Sequence, residues 1–383
     1  MKKIFYNKQF IDNSDVISVK NSLKNELITN GPKVKVFENI LKKKLKSKFA
    51  LVCNSGTSAL HLALMAVNIK KGDIVIIPSI NFISSFAMLS LRGAKIYLAD
   101  VSKYTGQSTP ELIEECIKKN KLKKVDLIIT MFLGGSPYNV VNFFKLKKKY
   151  NCFIIEDACH ALGASYIVNK KNYKVGSCKH CDISTFSFHP VKTITTGEGG
   201  ALTTNNNNFY KRAFLFRSHG IIRNEKKYYE YQINELSNNY RLSDINCSLG
   251  ISQILKLDKI LKKRKKLFQY YSKKLKEFNH MIYIPQNNDF FSSYHLFLVS
   301  FKNFTFKKKI HLIKFLNKND IYPQFHYIPL YKFKAVKSRK SGIIMNKGSE
   351  YYYSSYLSLP LFYDLKLSQI DRIVKLLKKY FSK

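Results

Sequence analysis

The stretch FSFHPVKTITTGEGGALTT, Phe186 to Thr204, sets a single lysine, Lys192, between an apolar run and a turn containing Gly197, Glu198, Gly199 and Gly200. Most lysines of this chain need no special account, because Lys and Arg number 66 against 25 Asp and Glu, a formal net charge of +41. Lys192 is different. It follows an apolar strand-like run and precedes glycines that let the backbone turn tightly.

Outward from this stretch, short β-rich runs alternate with longer helical stretches: FALVC at 49, DIVIIP at 73, AKIYLAD at 94, VDLIITM at 125, CFIIED at 152, ISTFSF at 183 and GALTT at 200. Such alternation predicts an α/β domain built on a mostly parallel, seven-stranded sheet covered on both faces. Ligands of such sheets bind beyond the carboxyl ends of the strands, so the residues just after each run are the candidates for chemistry. Lys-rich helical sequence from about 254 to 279 leads into a smaller α+β C-terminal domain, with strands expected near YHLFLVSF at 294 and YPQFHYIPL at 322. The expected division is an N-terminal arm over 1–30, a large domain over 31–265 and a small domain over 266–383.

At 383 residues and 45% hydrophobic composition the chain can bury a large core, which excludes a disordered tail-like protein. The basic excess admits a polyanion or an anionic membrane surface as partner. The chain is, however, also rich in Asn, Ile, Phe and Tyr and holds 16 Gly, 9 Pro and no Trp, and its basic residues form no single tract. Residues of AT-rich codons are over-used, so the charge reads as composition bias, without specific nucleic-acid binding. The N-terminus, MKKIFYNKQFIDNSDVISV, has no apolar leader region, and no apolar run reaches membrane-spanning length. A cytoplasmic protein without membrane insertion is the expectation. Seven cysteines fit reduced thiols. The close pair Cys178 and Cys181 lacks the two further ligands that zinc needs and reads as a turn entering the next strand; no metal is expected.

Two further strand ends carry chemistry. After the first run, NSGTSALHLALMAV (Asn54 to Val67) opens a helix with small and hydroxyl residues, either as ordinary caps or as an anion site on free N–H groups. After the fifth, EDACHALGA puts Asp157 where a carboxylate either caps the following helix or holds the protonated nitrogen of a pyridine ring. Lys192 and Ser187 follow. An amine for a Schiff base, an anion cradle and a pyridinium partner are together what pyridoxal phosphate requires.

The ordered segments SGTSALHLAL, EDACHALGA, SFHPVKTITTGEGGALTT, FRSHG and NNYRLSDINCSLGISQIL resemble the DegT/DnrJ/EryC1/StrS family of sugar aminotransferases over nearly the whole chain. The resemblance implies the fold-type-I, aspartate aminotransferase-like architecture with pyridoxal 5'-phosphate (PLP) as cofactor. By position it makes Lys192 the Schiff-base lysine and proton shuttle and Asp157 the pyridinium partner. Ser187, Thr57 and Ser58 would hold the phosphate, Phe82 would stack on the cofactor ring and His160 would lie beside its ring oxygen. Asn239, before YRLSD, would reach the phosphate of the partner subunit's cofactor, implying a homodimer with shared active sites. The working lysine must be neutral at some steps, so a depressed pKa is expected.

The segments FRSHGII and QFHYIPLY resemble the branch of the family that serves pseudaminic acid synthesis. That branch implies L-glutamate as amino donor and UDP-2-acetamido-2,6-dideoxy-β-L-arabino-hex-4-ulose as acceptor, with Tyr6, His326 and Tyr331 as candidate sugar contacts. The alternatives are another UDP-, dTDP- or GDP-linked 4-keto sugar, a PLP sugar dehydratase of the same fold, in which histidine replaces the lysine, and a polyanion-binding protein resting on charge alone.

Overall fold

The computed structural model describes residues 3–224, 226, 227, 229–276, 278, 290–301 and 303–382. Each of the seven apolar runs is a strand of one sheet: β1 (Phe49–Cys53), β2 (Ile74–Pro78), β3 (Lys95–Ala99), β4 (Leu127–Met131), β5 (Phe153–Asp157), β6 (Ile183–Ser187) and β7 (Gly200–Thr204). Their spatial order is β1-β7-β6-β5-β4-β2-β3. The pairs β2 with β3, β2 with β4, β4 with β5 and β5 with β6 are parallel. Only β7 runs antiparallel to its neighbours, β1 and β6.

The runs are apolar throughout, because both faces of the sheet are buried. Leu51, Val75, Ile77, Ile129 and Ile155 pack on one face with the helix Gly56–Ala66. The alternate residues Ile76, Ile128 and Ile154 pack on the other, as do Val52 and Ala201. Each such side chain, wholly removed from water, contributes about 1.5–3 kcal/mol. The helix Gly56–Ala66 starts where Ser55 caps it, its hydroxyl accepting the N–H of Ser58. Nine of its eleven residues are buried, as befits a helix between a sheet and the helix Asn207–Phe216.

The YRLSD segment has a structural use as well. Asp244 is wholly buried, and its carboxylate accepts the N–H groups of Gly31 and Lys33, both at 2.8 Å. It thereby caps the helix Pro32–Leu45 from a distant part of the chain.

Towards the C-terminus, β8 (Phe297–Ser300) pairs antiparallel with β9 (Tyr356–Leu359), and Ile4–Phe5 lies parallel to Ile321–Tyr322. A separate apolar cluster gathers Ile4, Leu267, Tyr271, Phe297, Leu312, Leu357 and Ile373. The strand expected near 294 is β8. The one expected along YPQFHYIPL stops at Tyr322, and beyond it Gln324 alone makes an isolated bridge to Ser358. Pro323 and Pro329 offer no N–H to a ladder, and the segment between them runs as loop. The helical sequence from 254 to 279 belongs to two helices, Asp244–Leu255 and Leu257–Lys276; residues 277 and 279 lie outside the described residues. From the second helix the buried guanidinium of Arg264 donates to the carbonyls of Tyr294, His295 and Leu361 at 2.7–2.9 Å. Among the described residues it forms no ion pair, and burial lowers its pKa to about 10.

The antiparallel strand fixes the geometry at the carboxyl end of the sheet. Its register sets Gly200 between Cys53 and Ser187. A Cβ on Gly200 would lie 2.3 Å from the carbonyl oxygen of Ser55, and one on Gly56 would lie 2.8 Å from Cβ of Ser187. These two glycines let β7, the start of the Gly56–Ala66 helix and the end of β6 converge. Gly200→Ala should therefore destabilise the protein by about 1–3 kcal/mol, the usual range for overpacking, read as a lowered midpoint of thermal or urea unfolding. An unchanged midpoint would mean that the helix start can move away at no cost.

Candidate active site

Beyond the carboxyl ends of β1, β4, β5 and β6 lies a cavity of about 500 Å³. Tyr6, Thr57, Phe82, Asp157, His160, Ser187, Lys192 and His326 line it. Eight of the residues singled out from the sequence thus meet in one place, drawn from segments as far apart as 6 and 326.

Asp157 ends β5 with only 2% of its surface exposed, and its Oδ1 accepts the N–H of Cys159 at 3.2 Å. Among the described residues it forms no ion pair. Burial raises its pKa, while Cys159 and the charge of Lys192 pull the other way. Lys192 shows the opposite shift: burial lowers its pKa against the opposing influence of Cys159 and Asp157. The turn holds it by its own N–H, which donates to the carbonyl of His189 at 2.8 Å.

Thr57 lies in the first turn of the Gly56–Ala66 helix, whose leading N–H groups have no intrahelical acceptor. The hydroxyl of Ser187 accepts the N–H of His189 at 3.4 Å and stands beside Gly56. Ser58 is directed elsewhere. Its hydroxyl donates to Oδ1 of Asn54 at 2.6 Å and lies 2.9 Å from Oγ of Ser55, outside the cavity lining. Phe82, just before the helix Ile83–Leu91, leaves 51% of its surface uncovered. The Tyr6 ring is 5.0 Å from that of His326, whose Nδ1 lies 2.8 Å from Oγ of Ser358. Burial lowers the His326 pKa to about 3.

Besides Ser58, two expected residues lie away from the cavity. Tyr331 is 6% exposed and packs in the core, with its hydroxyl donating to Oε1 of Glu350 at 2.8 Å. Asn239 is exposed, its Oδ1 accepting the N–H of Arg241 at 3.1 Å and its carbonyl accepting from Nδ2 of Asn54 at 3.2 Å.

The cavity also takes in Cys159, His189, Glu198, His295 and Tyr327, none of which the sequence reading selected. His189 and Glu198 lie inside the lysine stretch itself, which drew attention to its glycines instead. Tyr327 directly follows His326 and could have been found with it. His295 offered no local signal, since only the fold brings its ring to 4.2 Å from that of His160. Cys178 and Cys181 lie on the turn into β6, both thiols within 3.6 Å of Oγ of Ser184 and away from the cavity lining.

The donor set suits PLP: an uncompensated buried carboxylate for a ring cation, a helix start with hydroxyls for a phosphate, an uncovered aromatic face and an amine. Among the described residues no helix is long and apolar enough to cross a membrane. A "UDP-4-amino-4,6-dideoxy-N-acetyl-beta-L-altrosamine transaminase" of Campylobacter jejuni is 37% identical over 382 residues, covering 98% of both chains. The solved structure of Helicobacter pylori PseC, described as an aminotransferase involved in the biosynthesis of pseudoaminic acid, is 29% identical, covers 100% of both chains and superposes with a TM-score of 0.90. Spr1654 of Streptococcus pneumoniae, solved in a PLP-form, is 26% identical with a TM-score of 0.88, covering 99% of this chain and 98% of that one. A model of the DegT/DnrJ/EryC1/StrS aminotransferase family matches residues 9–378. With the match spanning nearly the whole chain, this protein belongs to the DegT/DnrJ/EryC1/StrS aminotransferase family.

Proposed function

We propose that this aminotransferase uses PLP to move the amino group of L-glutamate to carbon 4 of a nucleotide-linked 4-keto-6-deoxy sugar, UDP-2-acetamido-2,6-dideoxy-β-L-arabino-hex-4-ulose, on the way to pseudaminic acid. The observation that carries the chemistry is the meeting, in one cavity, of a buried carboxylate that forms no ion pair among the described residues and a lysine whose pKa is depressed. The names of the Campylobacter and Helicobacter relatives support the choice of sugar.

Bound PLP supplies an electron sink and a carbon that carries the amino group between the two substrates. The remaining tasks fall to the chain. Asp157 would stand opposite the ring nitrogen of the bound cofactor and hold a proton there. The N–H groups at the start of the Gly56–Ala66 helix, with the hydroxyls of Thr57 and Ser187, receive the phosphate at the positive end of the helix dipole. Ser58 supports that cradle indirectly through Ser55, whose hydroxyl it meets. Phe82 provides the stacking face. Nζ of Lys192, whose ammonium form burial disfavours, would take the proton from the donor's Cα and return one at carbon 4 of the sugar. Met131, Ile83 and Phe325 in the cavity wall limit water. Tyr6 and His326 are assigned to the sugar.

The reading includes a cytoplasmic homodimer in which the exposed Asn239 of one subunit reaches the phosphate bound in the other. It also includes the division into an arm over 1–30 and domains over 31–265 and 266–383, supported by the separate C-terminal cluster.

A panel of UDP-, dTDP- and GDP-linked 4-keto sugars with L-glutamate tests the substrate; the UDP-linked L-arabino 4-ulose should show the highest kcat/KM, and a better dTDP or GDP substrate would replace it. Asp157→Asn should keep cofactor but lose about 10²- to 10³-fold in kcat, the usual cost of removing one charge-stabilising group; near-normal single-turnover rates would contradict its role. Lys192→Ala and Asn239→Asp should each be inactive, the first because no amine remains and the second because a carboxylate would oppose the phosphate. Refolded together in equal amounts, they should recover about a quarter of wild-type activity, since half the dimers are mixed and each mixed dimer has one intact site of two. No recovery, with mixed dimers demonstrated, would remove Asn239 from the shared site.

A further inference from the structure

Tyr327 is a cavity residue with no role in the reading above. Its hydroxyl oxygen lies 2.9 Å from Nε2 of His160, and its ring centroid is 5.9 Å from that of Phe82. On the far side of the imidazole, Nδ1 of His160 faces the backbone N–H of Gly134 at 3.4 Å. A backbone N–H can only donate, so Nδ1 carries the lone pair. The ring is buried to 1% exposure, and burial, followed by the charge of Lys192, holds its pKa well below the ordinary histidine value. The neutral imidazole therefore has its one proton on Nε2, and that proton is donated to the oxygen of Tyr327.

This order of donation settles what the phenol can do. Its oxygen already accepts from His160, and its own proton is not spent in that bond. Among the described residues His160 is the one hydrogen-bond partner of the Tyr327 hydroxyl. Burial, and then the charge of Asp157, push the Tyr327 pKa well above its ordinary value, so the proton stays on the phenol. Accepting a hydrogen bond also makes the hydroxyl a stronger donor. Both ring nitrogens of His160 are thereby occupied, which leaves Tyr327 as the member of the pair able to reach a ligand.

We propose that Tyr327 is a substrate-binding residue whose hydroxyl, oriented by His160 and Gly134, donates to an oxygen acceptor of the bound substrate. The acceptor is a carbonyl or hydroxyl oxygen of the keto sugar or a carboxylate oxygen of the amino donor. The assignment rests on the aminotransferase reading of the cavity and adds to it a group that fixes a substrate oxygen. His160 then acts as a positioning residue through Tyr327.

Tyr327→Phe removes the hydroxyl and keeps the ring. The test uses the PLP-loaded protein and follows the two half-reactions separately by the absorbance of bound cofactor, one with L-glutamate and one with the UDP-linked 4-keto sugar. Cofactor affinity, measured by fluorescence titration, should equal wild type. One half-reaction should show its apparent substrate dissociation constant raised about 5- to 100-fold, the loss expected for one hydrogen bond in a dry site, with a smaller change in limiting rate. The arm that changes identifies which substrate supplies the oxygen. Wild-type constants in both arms would overturn the proposal, as would a weakened cofactor affinity, which would assign the hydroxyl to the cofactor. A wild-type protein that reacts with glutamate but with none of the sugars would sink the sugar assignment alone, since the glutamate arm still reads Tyr327.

Discussion

The close approach of backbone at Gly200 is the constraint on which the site depends. With the carbonyl of Ser55 only 2.3 Å from where a Cβ would stand, no other residue lets β7 lie between β1 and β6 with its first residue at the start of the neighbouring helix. That placement brings the helix N–H groups, Ser187 and the Lys192 turn to one edge of the sheet. The rest of the parallel sheet then supplies Asp157 from the adjacent strand end.

Electrostatically, the cavity holds opposite charges in a setting that favours neither. Burial raises the carboxylate and lowers the amine, and each moderates the other's shift without an ion pair between them. Around them stand histidines whose pKa values burial holds down: His160 and His295 well below the ordinary value and His326 near 3. Neutral imidazoles offer hydrogen bonds of fixed direction without adding competing charge, which suits a cavity that already holds a buried carboxylate and an amine.

How much of this was legible in the sequence follows from how local each signal is. The seven strands were legible because buried parallel strands are continuous apolar runs. Asp157, Ser187 and Lys192 were legible because they stand at strand ends, and family resemblance added Thr57, Phe82 and His160. The segment from Gln324 to Pro329 reads as a strand in the sequence because of its aromatic content, but those side chains line the cavity and the flanking prolines decide against the ladder. Tyr331 looks like its neighbours in YIPLY, yet its hydroxyl turns to Glu350. Nothing local in YHLFLVSF marks His295, because its contact with His160 arises only when β8 packs against the turn at Gly134. The use of Asp244 as a cap for a helix more than two hundred residues away is likewise invisible to spacing.

The carboxylate of Asp157 also links acid, heat and cofactor. Because its folded pKa is raised above the ordinary 3.8, its contribution to the stability of the empty chain is fully present below the unfolded pKa and is lost as pH rises through the folded one. This is the reverse of a salt-bridged aspartate. Ionising Asp157 in the empty protein leaves an unsolvated anion that a ring cation would neutralise. Cofactor saturation then acts as a stabiliser by mass action, worth about 2.7 kcal/mol at a hundred times Kd. A ligand carrying such a cation would thus hold the fold together as well as take part in its chemistry.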